Sequence, residues 1–534
     1  MTAPRMLAAM FDLLIRGGMV VDGTGAPARR ADVGVNGAVV AALGDLGGED
    51  GATVIDADGL TVTPGFVDTH AHADSSLLVD GQEAHALRQG VTTEIITQDG
   101  MGFAPLTHER YAEYAGYLAG ILGEPPLDLD MSSIAAMRSH YDGKATNVAV
   151  LVPHGALRLA VAGFTDRPLR GDLLDRARAL VAQGMADGAH GLSTGLSYYP
   201  QSYSDTDELV ALAEVVRDGG GVYVTHVRNH NNDRAPGGSG VLEAMTIGRR
   251  SGVAVHVSHF KTSAPDAGHT AELLAPVDAA KRDGVDVTVE CYPYAANSTI
   301  PGYFLRGEFH EGGPEALLAR LADPALRPAM IDSLRTLFPG TLERACWSHV
   351  ASERNRALPG MAFVDVAAAR GVSVEEMVLD VMREERLACG FRSIPPASAA
   401  LTSAVEADVI ALLLRDDYTL GSDGIPTGAM PHPRAWGSFA RVLGPLRRRH
   451  DAPLEALVHA LSARPARRFG LTGRGTIEPG AHADLVAMDA ARLHDLATYD
   501  DPRQHPVGIE HVVVNGQIAV RDGQCTGVMA GRVV

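Results

Sequence analysis

Eight short apolar runs, each followed by helix-forming sequence, mark the middle of this 534-residue chain. They span residues 65–69, 92–97, 147–152, 191–194, 221–225, 254–258, 285–290 and 418–422. Such β-branched runs read as strands, and their alternation with helices calls for parallel pairing, since a parallel connection must cross back over the sheet. Eight such units predict an α/β fold, a TIM-like (β/α)8 barrel, with any chemistry at the C-terminal strand ends. One helix is marked at both ends. Asp205 and Glu208 form a capping-box pair, 209–216 carries the apolar face, and Gly219-Gly220 stops it. More than a hundred residues separate the seventh and eighth runs. One crossover helix needs far fewer, so an inserted helical subdomain is expected over the barrel mouth at about 300–415.

The two ends differ in texture from the middle. Residues 11–15, 19–21, 32–35, 38–43 and 53–56 are β-rich pieces broken by Gly-Gly, Asp-Gly and Asn-Gly turns, and 484–488, 511–514, 517–520 and 527–534 repeat the pattern around Asn515-Gly516. Neither end alone offers strands for two packed sheets. The termini are therefore expected to meet in one small β-sandwich, 1–62 with 472–534, leaving 63–471 as the barrel.

A formal charge of −19 argues against nucleic acid or an anionic membrane as a partner. Cys291, Cys346, Cys389 and Cys525 are scattered without close pairs, which fits a reducing compartment rather than a disulfide framework. The apolar stretch 7–15 is interrupted by Asp12 and no small-residue cleavage site follows. No apolar run approaches a bilayer's thickness. A cytoplasmic protein is expected, with a small-molecule partner.

The strongest chemical signal is Pro64-Gly65-Phe66-Val67-Asp68-Thr69-His70-Ala71-His72-Ala73-Asp74. Side chains two apart on a strand point the same way, so His70 and His72 converge, as half of a divalent-metal site would require. His226 closes 222–226, His259 closes 253–259, and Asp423 follows 418–422 with Gly424 to turn the chain. Each alone is as easily a core histidine or a capping carboxylate. Together, at the ends of strands five, six and eight, they read as one constellation with His70 and His72. Asp99, in Gln98-Asp99-Gly100 after strand two, reaches the same rim and supplies the negative charge that histidines lack. A divalent ion lowers the pKa of a water that it holds and polarises a carbonyl. Asp423 is the expected acceptor of the water's proton, which it passes to a departing amine. Lys261 lies two residues past His259, where its ammonium can pair with a substrate carboxylate. Tyr198, Tyr292 and Ser298 follow strands four and seven, and their hydroxyls are candidates for the same anion.

Taken together, these segments resemble the D-aminoacylase branch of the amidohydrolase superfamily. The likeness runs through Gly191-Leu192-Ser193-Thr194-Gly195-Leu196, Thr225-His226-Val227-Arg228, Ser258-His259-Phe260-Lys261, Tyr292-Pro293-Tyr294, Ser422-Asp423-Gly424, Pro431-His432-Pro433-Arg434 and the tail Gly480-Ala481-His482-Ala483-Asp484-Leu485-Val486. His-x-His is generic; Ser-His-x-Lys, Tyr-Pro-Tyr and Ser-Asp-Gly in this order are far more specific. The resemblance implies hydrolysis of N-acyl-D-amino acids to a D-amino acid and a carboxylate. It carries metal-ligand roles onto His70, His72, His226 and His259, acid–base work onto Asp423, and α-carboxylate recognition onto Lys261, Tyr198, Tyr292 and Ser298. The sequence departs from the branch in two places. Where members place a cysteine, usually in Asn-Cys-Gly, this chain has Gln98-Asp99-Gly100, a hard oxygen donor. That weakens the preference for zinc relative to manganese or cobalt and leaves the number of ions open. After Arg228, an expected acidic residue gives way to Asn229-His230-Asn231-Asn232, which bears on which acyl group or side chain fits. Two rivals are weaker. A cyclic-amide hydrolase of the hydantoinase or dihydroorotase kind commonly carries a carboxylated lysine at the end of strand four, and none occurs at Ser193-Thr194. A non-catalytic scaffold typically loses ligands that this chain keeps.

Overall fold

A computed structural model describes residues 10–82, 84–229, 234 and 238–534. Residues 7–9 of the N-terminal apolar stretch and 230–232 of the loop after Arg228 lie outside the described residues.

All eight expected central strands form: Phe66–Asp68, Val91–Ile96, Asn147–Val150 (resuming as Val152–Pro153), Gly191–Gly195, Val222–His226, Ala254–Val257, Val287–Cys291 and Tyr418–Leu420. Consecutive strands pair in parallel within two sheets, with the third strand belonging to both, as Asn147–Val150 in one and Val152–Pro153 in the other. The segments that follow the first and last strands meet through a parallel bridge, Ala71 to Gly424. The amide of Asp423 donates to His70 O at 2.8 Å, and that of His72 to Gly424 O at 3.0 Å. Most residues of these strands are buried, as expected for parallel strands covered on both faces.

Strands from both termini share one nine-stranded sheet. Thr61–Pro64 is its hinge, antiparallel to Leu485–Met488 and parallel to Phe11–Val20. The pieces read as separate strands at 11–15 and 19–21 are one ten-residue strand, Phe11–Val20. The intervening Gly17-Gly18 produces a register shift rather than a turn, because glycine accommodates a bulge as readily as a reversal. Segment 527–534 does not join this sheet. It runs beside the third parallel strand, with Val148 N donating to Arg532 O at 2.9 Å and Val534 N to Val148 O at 3.0 Å. Gly531 permits the approach, since a Cβ there would stand 1.9 Å from Thr146 O.

The helix Thr206–Asp218 begins and ends close to where its caps predict, but only half of the capping box forms. Asp205 accepts from Glu208 N at 3.0 Å, while the Glu208 carboxylate turns inward to Arg158 Nη1 at 2.6 Å and accepts from Leu169 N at 2.7 Å. A buried arginine outcompetes a backbone amide for that charge. The stretch between strands seven and eight is not purely helical. Helices Pro314–Ala322, Arg327–Leu337, Phe363–Arg370, Val374–Glu384 and Ala399–Leu413 accompany a three-stranded antiparallel sheet of Ser298–Thr299, Cys389–Ser393 and Ala345–Val350. Its strands are short and far apart in sequence, so no local period announced them.

Candidate active site

His70 and His72 stand just past the first strand with their Nε2 atoms 3.3 Å apart. Asp423 Oδ1 lies 3.7 Å from His70 Nε2 and 3.4 Å from His72 Nε2. A second trio, Asp99, His226 and His259, gathers alongside, with His226 Nδ1 and His259 Nε2 2.9 Å apart. Asp99 links the two groups. Its Oδ1 is 3.6 Å from His70 Nε2 and 3.8 Å from His259 Nε2, while Oδ2 is 3.7 Å from His72 Nε2 and 3.6 Å from His226 Nδ1. Six side chains separated by up to 353 residues thus surround one small volume.

Backbone conformation helps to aim them. Asp99, His259 and Asp423 all have positive φ, at 55°, 37° and 51°. Non-glycine residues rarely adopt that region, and where they do the surroundings impose it, often at functional sites. Gly195 at the end of strand four leaves room for Asp99: a Cβ there would stand 2.2 Å from Asp99 O.

The electrostatics are those of a cluster that lacks positive charge. Burial alone would lower the pKa of His70, yet the carboxylates of Asp99, Glu290 and Asp423 outweigh it and raise the pKa to about 10. Burial would raise Asp99, but His70 and His226 hold it well below the usual carboxylate range. Asp423 is likewise held low against burial, chiefly by Arg434. The Oδ1 atom of Asp99 is buried with no hydrogen-bond partner among the described residues. A buried carboxylate oxygen left in that state is costly, and a shared cation would both satisfy it and separate the facing imidazole nitrogens. The donors are nitrogen and oxygen only, a set that suits a divalent transition ion.

Two residues central to this arrangement were not singled out from the sequence. Glu290, the last residue of the seventh run, places Oε1 2.5 Å from His70 Nδ1 and Oε2 3.1 Å from His256 Nε2, and accepts from Thr69 Oγ1 at 2.6 Å. An acidic residue ending a buried strand was the available signal. Arg434, noted only within Pro-His-Pro-Arg, is buried with Nη1 2.8 Å from Asp423 Oδ2 and lies 4.8 Å from the Tyr292 ring.

A cavity of about 560 Å³ opens over the cluster, lined by His72, Asp99, His226, His259 and Asp423 and also by Lys261, Tyr198, Tyr292 and Ser298. Lys261 Nζ stands 4.6 Å from the Tyr292 ring and donates to Thr262 O at 3.3 Å; burial lowers its pKa to about 8. Tyr198 shares a hydrogen bond with Thr299 Oγ1 at 2.8 Å. Ser298 reaches the wall but spends its proton on Phe391 O at 2.8 Å, so without rotating it can only accept. Cys291, the last residue of the seventh strand, is fully buried and does not line this cavity.

A family model for amidohydrolases matches residues 53–306 and 375–520. The chain belongs to the amidohydrolase family. This amidohydrolase is 35% identical to an N-acyl-D-glutamate deacylase of Alcaligenes xylosoxydans xylosoxydans, over 95% of this chain and 93% of that protein. It is 33% identical to a D-aminoacylase of the same organism, over 98% and 97% of the two chains. Its structure is similar, with a TM-score of 0.80 and 31% identity over 98% and 99% of the chains, to the N-acyl-D-glutamate deacylase of Bordetella bronchiseptica complexed with zinc and a phosphonate mimic of the tetrahedral intermediate.

Proposed function

We propose that this amidohydrolase is a metal-dependent N-acyl-D-amino-acid deacylase, cleaving the amide to release a D-amino acid and a carboxylate. The observation that carries the reading is a four-histidine, two-aspartate cluster of which His72, His226, His259 and both aspartates line one cavity together with the half-buried Lys261. The scaffold is a (β/α)8 barrel, residues 63–471, with an insertion at about 300–415 and a terminal β-sandwich, 1–62 with 472–534. The parallel pairing in chain order and the shared terminal sheet support that division. Four cysteines without a disulfide among them support a cytoplasmic location.

His70, His72, Asp99, His226 and His259 hold one or two divalent ions, zinc foremost, with manganese or cobalt admitted by the sulfur-free donor set. A bound ion supplies Lewis acidity to the scissile carbonyl and acidifies water. Lys261 pairs with the substrate α-carboxylate, with Tyr198, Tyr292 and Ser298 completing its surroundings. That anchoring fixes the amide carbon above the cluster. Asp423 takes the proton of the attacking water and returns it to the departing nitrogen, and Arg434 holds the carboxylate ready to do so. Glu290 fixes the orientation of His70 through Nδ1. A panel of N-acetyl-D- and N-acetyl-L-amino acids, assayed with zinc, manganese or cobalt, tests the proposal. Turnover of the D series alone is expected; equal rates on both enantiomers sink it.

A further inference from the structure

One wall of the cavity, starting at His226 of the cluster, is built from rings. Ring centroids step from His226 to Tyr198 at 5.0 Å, to Tyr303 at 5.4 Å, to Phe338 at 5.1 Å, to Phe304 at 5.3 Å and to Phe391 at 5.1 Å. The last four belong to the insertion, and all line the cavity. Cationic side chains are scarce there. Among the described residues, the only lysine or arginine lining the cavity besides Lys261 is Arg228, and its guanidinium is committed to Glu243 at 2.8 Å and to Ser202 O at 2.9 Å. An adjoining cavity of about 430 Å³ shares Tyr303, Asn229 and Phe338 with the first, and Tyr303 donates to Asn229 Oδ1 at 2.7 Å at that boundary. Its two arginines are also engaged: Arg234 pairs with Asp166, and Arg306 pairs with Asp332 at 2.7 Å.

We infer that the substrates are N-acyl derivatives of apolar D-amino acids, and that acidic side chains are rejected. This rests on the deacylase reading and narrows it. Lys261 serves one carboxylate, the α-carboxylate common to every substrate. A second carboxylate on the side chain finds aromatic faces and, among the described residues, no lysine or arginine without an acidic partner besides Lys261, so its hydration is lost without compensation. An apolar side chain meets the same faces favourably. Sites built to pair a polar group discriminate strongly, and an apolar wall offered a charge does so for the same reason in reverse.

The test compares kcat/KM of the metal-loaded enzyme on N-acetyl-D-leucine, N-acetyl-D-methionine and N-acetyl-D-phenylalanine with that on N-acetyl-D-glutamate and N-acetyl-D-aspartate. The best apolar substrate is expected to exceed the best acidic one by roughly thirtyfold or more. A smaller margin, or a preference for the acidic pair, overturns the inference and leaves the deacylase reading standing. No turnover of any of the five overturns both. Phe338→Arg adds a cation to the wall and should narrow the margin by roughly tenfold, mainly through KM for N-acetyl-D-glutamate. A ratio unmoved in a folded Phe338→Arg variant overturns the role given to the wall.

Discussion

Replacing Glu290 with Gln isolates what an orienting carboxylate contributes to the proposed metal centre. Gln keeps the volume and two polar atoms, so packing is conserved. At Oε2 the amide can adapt. Thr69 Oγ1 also faces Leu420 O at 3.1 Å, and His256 Nδ1 faces Thr288 Oγ1 at 2.7 Å, so both partners can exchange donor and acceptor roles. At Oε1 the bond to His70 Nδ1 survives but loses its charge. A hydrogen bond to an ionised group is worth about 1.5–3 kcal/mol against about 1 for a neutral pair. The net loss is therefore about 0.5–2 kcal/mol, up to roughly thirtyfold in affinity, which overlaps the lower part of about 10–100-fold seen for such partners. Metal-free enzyme titrated with zinc against a competing chelator measures it directly. A dissociation constant within about twofold of the parent would refute the claim that Glu290 positions a ligand.

Other outcomes follow from the same geometry. Asp423→Asn should lower kcat by about 10²–10⁴-fold, with bound metal per chain retained when measured by elemental analysis. Lys261→Met should raise KM for an N-acetyl-D-amino acid by roughly ten- to a hundredfold, from about 1.5–3 kcal/mol of lost charge pairing, in steady-state kinetics. Dialysis against a strong chelator should abolish turnover, with recovery on adding zinc, manganese or cobalt; activity surviving in metal-free protein would count against the proposal. Glu208 offers a pH test far from the cluster. Burial would raise its pKa, but Arg158 and His154 hold it at about 2. A depressed carboxylate contributes stability above its unfolded pKa of about 4.5 that is lost as pH falls toward 2, here about 3 kcal/mol. Glu208→Gln should lower the melting temperature at neutral pH and flatten its decline between about pH 4.5 and 2.

The strand ends carrying His70, His72, His226, His259 and Asp423 were legible because each is announced locally. A run of β-branched residues has its own period, and the next polar side chain after it emerges at the rim wherever the strand pairs. Gly17-Gly18 misled because a glycine pair is equally compatible with a bulge and a turn, and only the partner strand at Ala31–Val33 decides between them. The tail 527–534 was misplaced for a related reason: its β texture does not name the strand beside which it lies.

What residues alone determined, then, was the set of chemical groups and the side of the strands from which they project. Tertiary structure decided their partnerships. His70 meets Glu290 across 220 residues of chain, Asp99 falls between two histidine pairs, and Arg434 closes on Asp423. Each of these depends on the relative register of neighbouring strands, a quantity set by packing among distant segments. Periodicity within one segment contains no information about the stagger of the next, and the charges that tune this site come from that stagger.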